Sequence, residues 1–241
     1  MSIVAIIPAR SGSKGVIDKN VKLLSKRPLL AYSISVAQLV NSIDRIIVST
    51  DSEHYANIAK KYRAEVPFLR PPEISGDNST DYEWIKHILG WMQKEEGAVP
   101  DYLVHLRPTT PLREPKYIEE AIVYLKQNKI ATALRSVHEM SETAYKTMEI
   151  EKGYLKSICS GEFNLEVTNK PRQQFPKTYV ANGYVDICKS SYILKNKELL
   201  GDKVIAYMTP PTFEVDTVEE FSYLEYQLAR NPEIIKQLFG K

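Results

Sequence analysis

Residues Ile3–Gly15, IVAIIPARSGSKG, decide how the rest of the chain is read. Ile3–Pro8 is a short apolar run rich in β-branched residues, the pattern of a parallel strand buried on both faces. It passes directly into Ala9-Arg-Ser-Gly-Ser-Lys-Gly15, which is small and basic, and then to Lys19-Asn20. In an open α/β sheet, ligands bind beyond the carboxyl ends of the strands, so this is where a binding loop belongs. Small residues at 11, 12, 13 and 15 let backbone N–H groups approach an anion, and Arg10, Lys14 and Lys19 add three positive charges over ten positions. A triphosphate needs that combination. The spacing matches neither GxxxxGK[ST], since Lys14 is preceded by Ser13 and followed by Gly15, nor GxGxxG. A flexible basic surface turn is the competing reading.

Further along, strand and helix patterns alternate. Arg45–Thr50 reads as a second strand and Glu65–Leu69 as a third. Tyr102–Leu106 and Ile130–Val137 read as a fourth and a fifth. Between them lie helical patterns: one over Pro28–Val40, one capped by Ser52, one opened by the capping box Thr80-Asp-Tyr-Glu83, and one started by Pro115. The alternation predicts an α/β fold, a Rossmann-like, mostly parallel sheet flanked by helices. The rhythm breaks from His138 to Ala181, where AYKTMEI and GYLKSI suggest a hairpin turning at Glu151-Lys-Gly153. Two strands, Tyr184–Cys188 and Val204–Met208, and a helix capped by Thr217 follow. Residues 1–137 and 182–241 are therefore expected to form one nucleotide-binding domain, with 138–181 inserted as a β-rich arm.

Composition narrows the classes. Across 241 residues, 43% are hydrophobic and 26% charged, ordinary for a globular core. The balance of 32 basic and 30 acidic residues gives no field that argues for nucleic acid. No run reaches a membrane span, and the N-terminal apolar stretch lacks the basic lead of a secretory signal. Cys159 and Cys188 lack metal-ligand spacing and read as reduced thiols of a cytoplasmic protein. His105 falls in a buried strand and is expected to be a hydrogen-bonded core residue.

A second candidate site is Phe213-Glu-Val-Asp216. In extended chain, Glu214 and Asp216 share a face, which suits Mg²⁺ bridging phosphates; equally, Asp216 or Thr217 is a helix cap. Together with Ile46–Asp51, Phe68–Glu73, Leu106–Arg113, Pro171–Gln174 and Asn182-Gly183, the two sites resemble the CMP-sialic acid synthetase family, over nearly the whole chain and in order. These are N-acylneuraminate cytidylyltransferases and relatives acting on other nine-carbon acidic sugars.

The resemblance implies transfer of CMP from CTP to the anomeric hydroxyl of an acidic nonulosonate, with release of pyrophosphate, yielding a CMP-sugar for surface glycan synthesis. Ala9, Arg10, Ser11, Gly12, Ser13, Lys14, Lys19 and Asn20 resemble the CTP-holding loop, joined by Arg70, Thr80 and Asp81 near the cytidine. Arg10, Lys14, Lys19 and Asp216 would be catalytic, and Glu214 with Asp216 would hold Mg²⁺. Arg107, Lys146, Arg172, Gln173, Asn182 and Asp186 fall where relatives bind the acidic sugar. The arm implies a homodimer with shared active sites. Arg107 and Asp186 depart from the glutamine and tyrosine of sialate-using relatives and either face the acceptor or pair with each other; Asp81 departs from a usual hydroxyl residue, and Glu214 from a usual aspartate. The acceptor is thus sialic, legionaminic or pseudaminic acid in type. Rival readings are an eight-carbon acidic sugar, another anionic acceptor, or a non-catalytic CTP-binding relative.

Overall fold

The computed structural model describes residues 1–240. The chain divides into two compact units, one of Met1–Ser136 with the chain from Asn182 onward, the other of Val137–Ala181. The first unit begins with β1 (Ile3–Pro8), β2 (Leu23–Leu24), β3 (Arg27–Pro28), α1 (Leu29–Gln38), β4 (Arg45–Ser49) and α2 (Glu53–Lys61). It continues with α3 (Asp81–Glu95), β5 (Tyr102–His105) and α4 (Pro115–Gln127). β6 (Ala133–Glu139) leads into the second unit, which holds β7 (Met148–Glu151) and β8 (Tyr154–Ser157). β9 (Tyr179–Lys189) leads back to α5 (Ser190–Asn196), β10 (Val204–Met208), α6 (Val218–Arg230) and α7 (Pro232–Phe239).

Six strands make one sheet in the order β10-β6-β9-β5-β1-β4. β1 lies between β4 and β5, parallel to both, and β9 runs antiparallel to β5. Because side chains alternate along a strand, Ile3, Ala5 and Ile7 enter one apolar cluster with Leu29, Ile118 and Phe221, while Val4 and Ile6 enter another with Trp84, Ile85 and Leu89. None of the five β1 side chains is more than 2% exposed, so helices cover both faces of the sheet. This is the Rossmann-like, mostly parallel architecture expected from the alternation. Ile85, Ile88 and Leu89 of α3 are fully buried, each stabilising the fold by about 1.5–3 kcal/mol.

Helix starts follow the caps. Ser52 Oγ accepts from the Tyr55 amide at 3.4 Å, and the Thr80 and Thr217 amides donate to Glu83 and Glu220 at 2.6 and 2.9 Å. One expected strand is absent. Glu65–Leu69 contributes only a single bridge, Glu65 to Ile47. Pro67 has no N–H for a ladder, and Pro71 and Pro72 turn the chain into a short 3₁₀ helix, Pro72–Ile74. The fifth strand begins at Ala133 rather than Ile130, which is 73% exposed, and β9 extends well beyond Tyr184–Cys188 on its N-terminal side. Among the described residues no helix is long and apolar enough to cross a membrane. Both cysteines are free.

In the second unit, β7 and β8 pair antiparallel with Glu151 opposite Tyr154. The two linking residues, Lys152 and Gly153, both have positive φ (52° and 85°), the conformation a tight two-residue hairpin loop needs. The hairpin leaves Ile150 and Tyr154 over 70% exposed. Lys146 ends a 3₁₀ turn, Ala144–Lys146, and Arg172 and Gln173 lie in another, Arg172–Gln174. Arg172 and Gln173 line a cavity of about 340 Å³, where Glu139 accepts from Arg172 at 2.9 Å and Lys177 at 2.8 Å.

Candidate active site

The chain leaving β1 is tied down before it presents any charge. The Ala9 amide donates to the Ser49 carbonyl at 2.9 Å, and Ser11 donates twice to Asp51, through its amide and its hydroxyl, at 2.7 Å each. Buried Asn20 reaches back to the Arg10 carbonyl at 3.0 Å. Gly12 takes a φ of +72°, and a Cβ at Gly15 would collide with the carbonyl oxygen of Asp216. The basic loop and the Asp216 segment thus touch backbone to backbone. Ala9, Ser11 and Gly12 shape the loop, while Arg10, Ser13, Lys14, Gly15, Lys19 and Asn20 line a cleft of about 480 Å³.

Carboxylates face these cations. Lys19 Nζ lies 2.8 Å from Asp216 Oδ1; its side chain is 13% exposed, that of Asp216 65%. Arg10 donates to Asp77 Oδ1 at 2.8 Å, and Lys14 pairs with the other oxygen of Asp77. The two cations, Lys14 foremost, hold the Asp77 carboxyl below its ordinary range. Asp77 was invisible as a site residue in the sequence, since it lies in the loop RPPEISGDNS, 67 positions from Arg10.

The far wall carries Arg70, Trp84, Asp81 and Arg107. Arg70 is buried, donates to Ser49 Oγ at 3.0 Å and to its carbonyl at 2.8 Å, and lies 5.2 Å over the Trp84 ring. Burial pushes its pKa down to about 10. Asp81 accepts from Trp84 Nε1 at 3.0 Å and from Arg107 at 2.8 Å. Thr80 caps α3 and does not line the cleft, whereas its neighbour Ser79 does. Arg107 and Asp186 face one another at 2.9 Å, and Arg135, which sequence reasoning missed, also grips Asp186, at 3.0 and 3.1 Å. His105 is buried as expected, but its Nε2 has no hydrogen-bond partner. Burial and then Arg107 push the imidazole far below its usual range, so it stays neutral.

Of the remaining residues, Asn182 is buried, donating to Thr209 Oγ1 at 2.7 Å and accepting from the Tyr184 amide at 3.2 Å, so its side chain ties β9 to the chain leaving β10. Glu214 sits against Gly183 and Thr110: a Cβ on Gly183 would lie 2.5 Å from Glu214 Oε1 and 2.9 Å from Thr110 Oγ1, a buried oxygen without a partner. Asp216 lines the cleft; Glu214 does not. Among the described residues no group of three or more His, Cys, Asp or Glu is placed to hold a metal alone. Of the two carboxylates expected to hold Mg²⁺, only Asp216 stands in the cleft, where one carboxylate could join phosphate oxygens around the ion.

The cytidylyltransferase family model matches residues 4–154. The chain is 31% identical over 222 residues to N-acylneuraminate cytidylyltransferase of Escherichia coli O18:K1:H7, covering 92% of this chain and 50% of that protein. It therefore spans about half the length of that relative. CMP-N,N'-diacetyllegionaminic acid synthase of Legionella pneumophila is 26% identical, with 98% of this chain and 100% of that one covered. A solved CMP:2-keto-3-deoxy-manno-octonic acid synthetase complexed with CTP superposes with a TM-score of 0.70 at 13% identity, over 96% of this chain and 100% of that one, which carries the fold alone.

Proposed function

The chain belongs to the cytidylyltransferase family, and on that premise we propose that it transfers CMP from CTP to the anomeric hydroxyl of an acidic nonulosonate sugar, supplying a CMP-sugar for surface glycan synthesis. The observation that carries the reading is the convergence of Arg10, Lys14 and Lys19 on one cleft with Asp216. The sugar oxygen forms a bond to the α-phosphorus as the bond from that phosphorus to the β-phosphate oxygen breaks. Pyrophosphate leaves and the hydroxyl proton passes to solvent. Such chemistry asks the protein for positioning and charge neutralisation more than for covalent work. Arg10 and Lys14 grip the outer phosphates, Lys19 neutralises charge near the α-phosphate, and Arg70 with Trp84 receives the cytidine. Asp216 would hold Mg²⁺ together with phosphate oxygens, and the ion would supply further neutralisation of the triphosphate.

The second unit, with its exposed Ile150 and Tyr154, pairs with another copy of the chain, and Lys146, Arg172 and Gln173 serve the acceptor side of a shared site. Sedimentation at micromolar concentration reads this as a dimer. A cytoplasmic location is part of this reading, since CTP is an intracellular substrate. An eight-carbon acceptor rests on a likeness of fold alone and is set aside.

The test mixes protein, CTP and Mg²⁺ with a panel of acidic sugars and measures pyrophosphate. Release with a nine-carbon acid supports the reading; nucleotide binding without turnover on any acceptor refutes it. Asp77 adds a prediction. Its carboxylate occupies the Arg10 and Lys14 donors that the triphosphate would take, so Asp77→Asn is expected to lower the KM for CTP by roughly two- to fivefold, the scale of a solvent-exposed ion pair. An unchanged or raised KM in steady-state assays would count against that competition.

A further inference from the structure

Lys19 is fixed at both ends. Its ammonium meets Asp216, and its backbone is set by the residue before it, Asp18, which takes the left-handed conformation with φ 51° and ψ 33°. The Asp18 carbonyl accepts from the Val21 and Lys22 amides at 2.9 Å each, so the chain leaves this bend as the short 3₁₀ turn Lys19–Val21. The left-handed region is costly for a residue with a Cβ; aspartate bears it better than most, and it persists where the surroundings hold it. Lys19 and Asn20 line the cleft, whereas Asp18 does not.

What holds the bend is Tyr55, in the first turn of α2. Its hydroxyl donates to Asp18 Oδ1 at 2.8 Å, and the residue is only 2% exposed. Burial and then Asp18 keep the phenol above its ordinary range, so it remains a donor. The Tyr55 amide is itself taken by Ser52, the cap of that helix, and Asp51, one residue earlier, accepts twice from Ser11. The start of α2 therefore grips the basic loop at two places, Ser11 near its beginning and Asp18 near its end. Asn20 closes the loop onto the Arg10 carbonyl between them.

We infer that Tyr55 and Asp18 are positioning residues for the transfer step: the buried phenol holds Asp18 in its left-handed bend, and the bend aims Lys19 at the reacting phosphate. This deepens, and rests on, the cytidylyl transfer proposed above. Neither side chain lines the cleft, so both act through Lys19. Arg10 and Lys14 precede the bend and do not depend on it, which leaves the grip on the outer phosphates in place. The effect falls on the step in which charge builds at the phosphate, because a cation stabilises that charge best when it needs no reordering. The Tyr55 ring packs in the apolar cluster with Leu29 and Val48, so phenylalanine keeps the packing and removes only the hydroxyl.

The experiment measures kcat and the KM for CTP with an acidic sugar that wild type turns over. Tyr55→Phe is expected to lower kcat by roughly 5- to 20-fold, below the ~100-fold that a misplacement of about 1 Å can cost, with the KM for CTP within about twofold. Asp18→Asn, which tolerates the bend and still offers an acceptor oxygen, stays within about threefold of wild type. The decisive arm repeats Tyr55→Phe in a Lys19→Ala background. With no ammonium left to aim, kcat there changes by less than about twofold. Wild-type kcat in Tyr55→Phe, or an equal loss in both backgrounds, overturns the inference and leaves cytidylyl transfer standing. A wild type that turns over no acidic sugar overturns both.

Discussion

Lys19→Ala is expected to lower kcat for pyrophosphate release by about 10²–10³-fold, a loss of roughly 2–4 kcal/mol of transition-state stabilisation. The figure follows from preorganisation. Lys19 is mostly buried, its ammonium is fixed 2.8 Å from Asp216, and Gly15 holds the loop backbone against that same residue. A cation that needs no reordering as charge builds on the leaving phosphate acts at full strength in a partly dehydrated cleft. Lys14 is a useful contrast. Its side chain is 81% exposed and lies on a loop free to hydrate, so Lys14→Ala falls mainly on the KM for CTP, by about tenfold or less. Neither change touches the apolar clusters, so thermal unfolding of both variants should match wild type. Burst kinetics separate the two cases, and wild-type kcat in Lys19→Ala would remove Lys19 from the phosphate cradle.

What could be read from residue order alone depended on how local its physical cause was. β1 and the loop behind it were legible because burial on both faces and a cluster of small, basic residues are written in consecutive positions. Thr80 and Thr217 were legible because a capping box lies within four residues. Glu65–Leu69 misled because its apolar pattern outweighed Pro67, which a ladder cannot accommodate. α7 carried a signal that went unread, Pro232 at its first position, whereas α5 follows β9 with no loop to mark it. In the site, the loop cations were found by spacing, but their partners were not. Asp77 and Arg135 meet Arg10 and Asp186 only through the fold, and nothing near either in sequence marks it as a site residue. The sequence left open whether Arg107 and Asp186 pair, which they do, but it read Asp81 apart from them; the three are one network, with Arg107 bridging the other two.

That network makes Asp186→Asn the substitution with the largest expected effect on stability. The carboxylate accepts three hydrogen bonds from two guanidiniums and is nearly sealed from water. Asparagine keeps one acceptor oxygen, removes the charge and turns an amide donor toward arginine donors. Breaking a buried ion pair costs about 3–5 kcal/mol, and because Arg107 and Arg135 are 25% and 35% exposed and can partly hydrate, about 2–4 kcal/mol is expected. In a chain of this length that lowers Tm by roughly 5–15 °C. The pH dependence gives a sharper check. Burial alone would raise the Asp186 pKa, but Arg135 and Arg107 outweigh it and hold the carboxyl below its ordinary 3.8. A carboxylate depressed on folding contributes stability above its unfolded pKa and loses it as pH falls through the folded value. Wild type and Asp186→Asn should therefore differ by the full amount at pH 7 and converge in denaturant titrations below about pH 4. A gap that stays constant down to pH 3 would mean that the destabilisation comes from packing, and that the charge on Asp186 does not hold the two arginines in place.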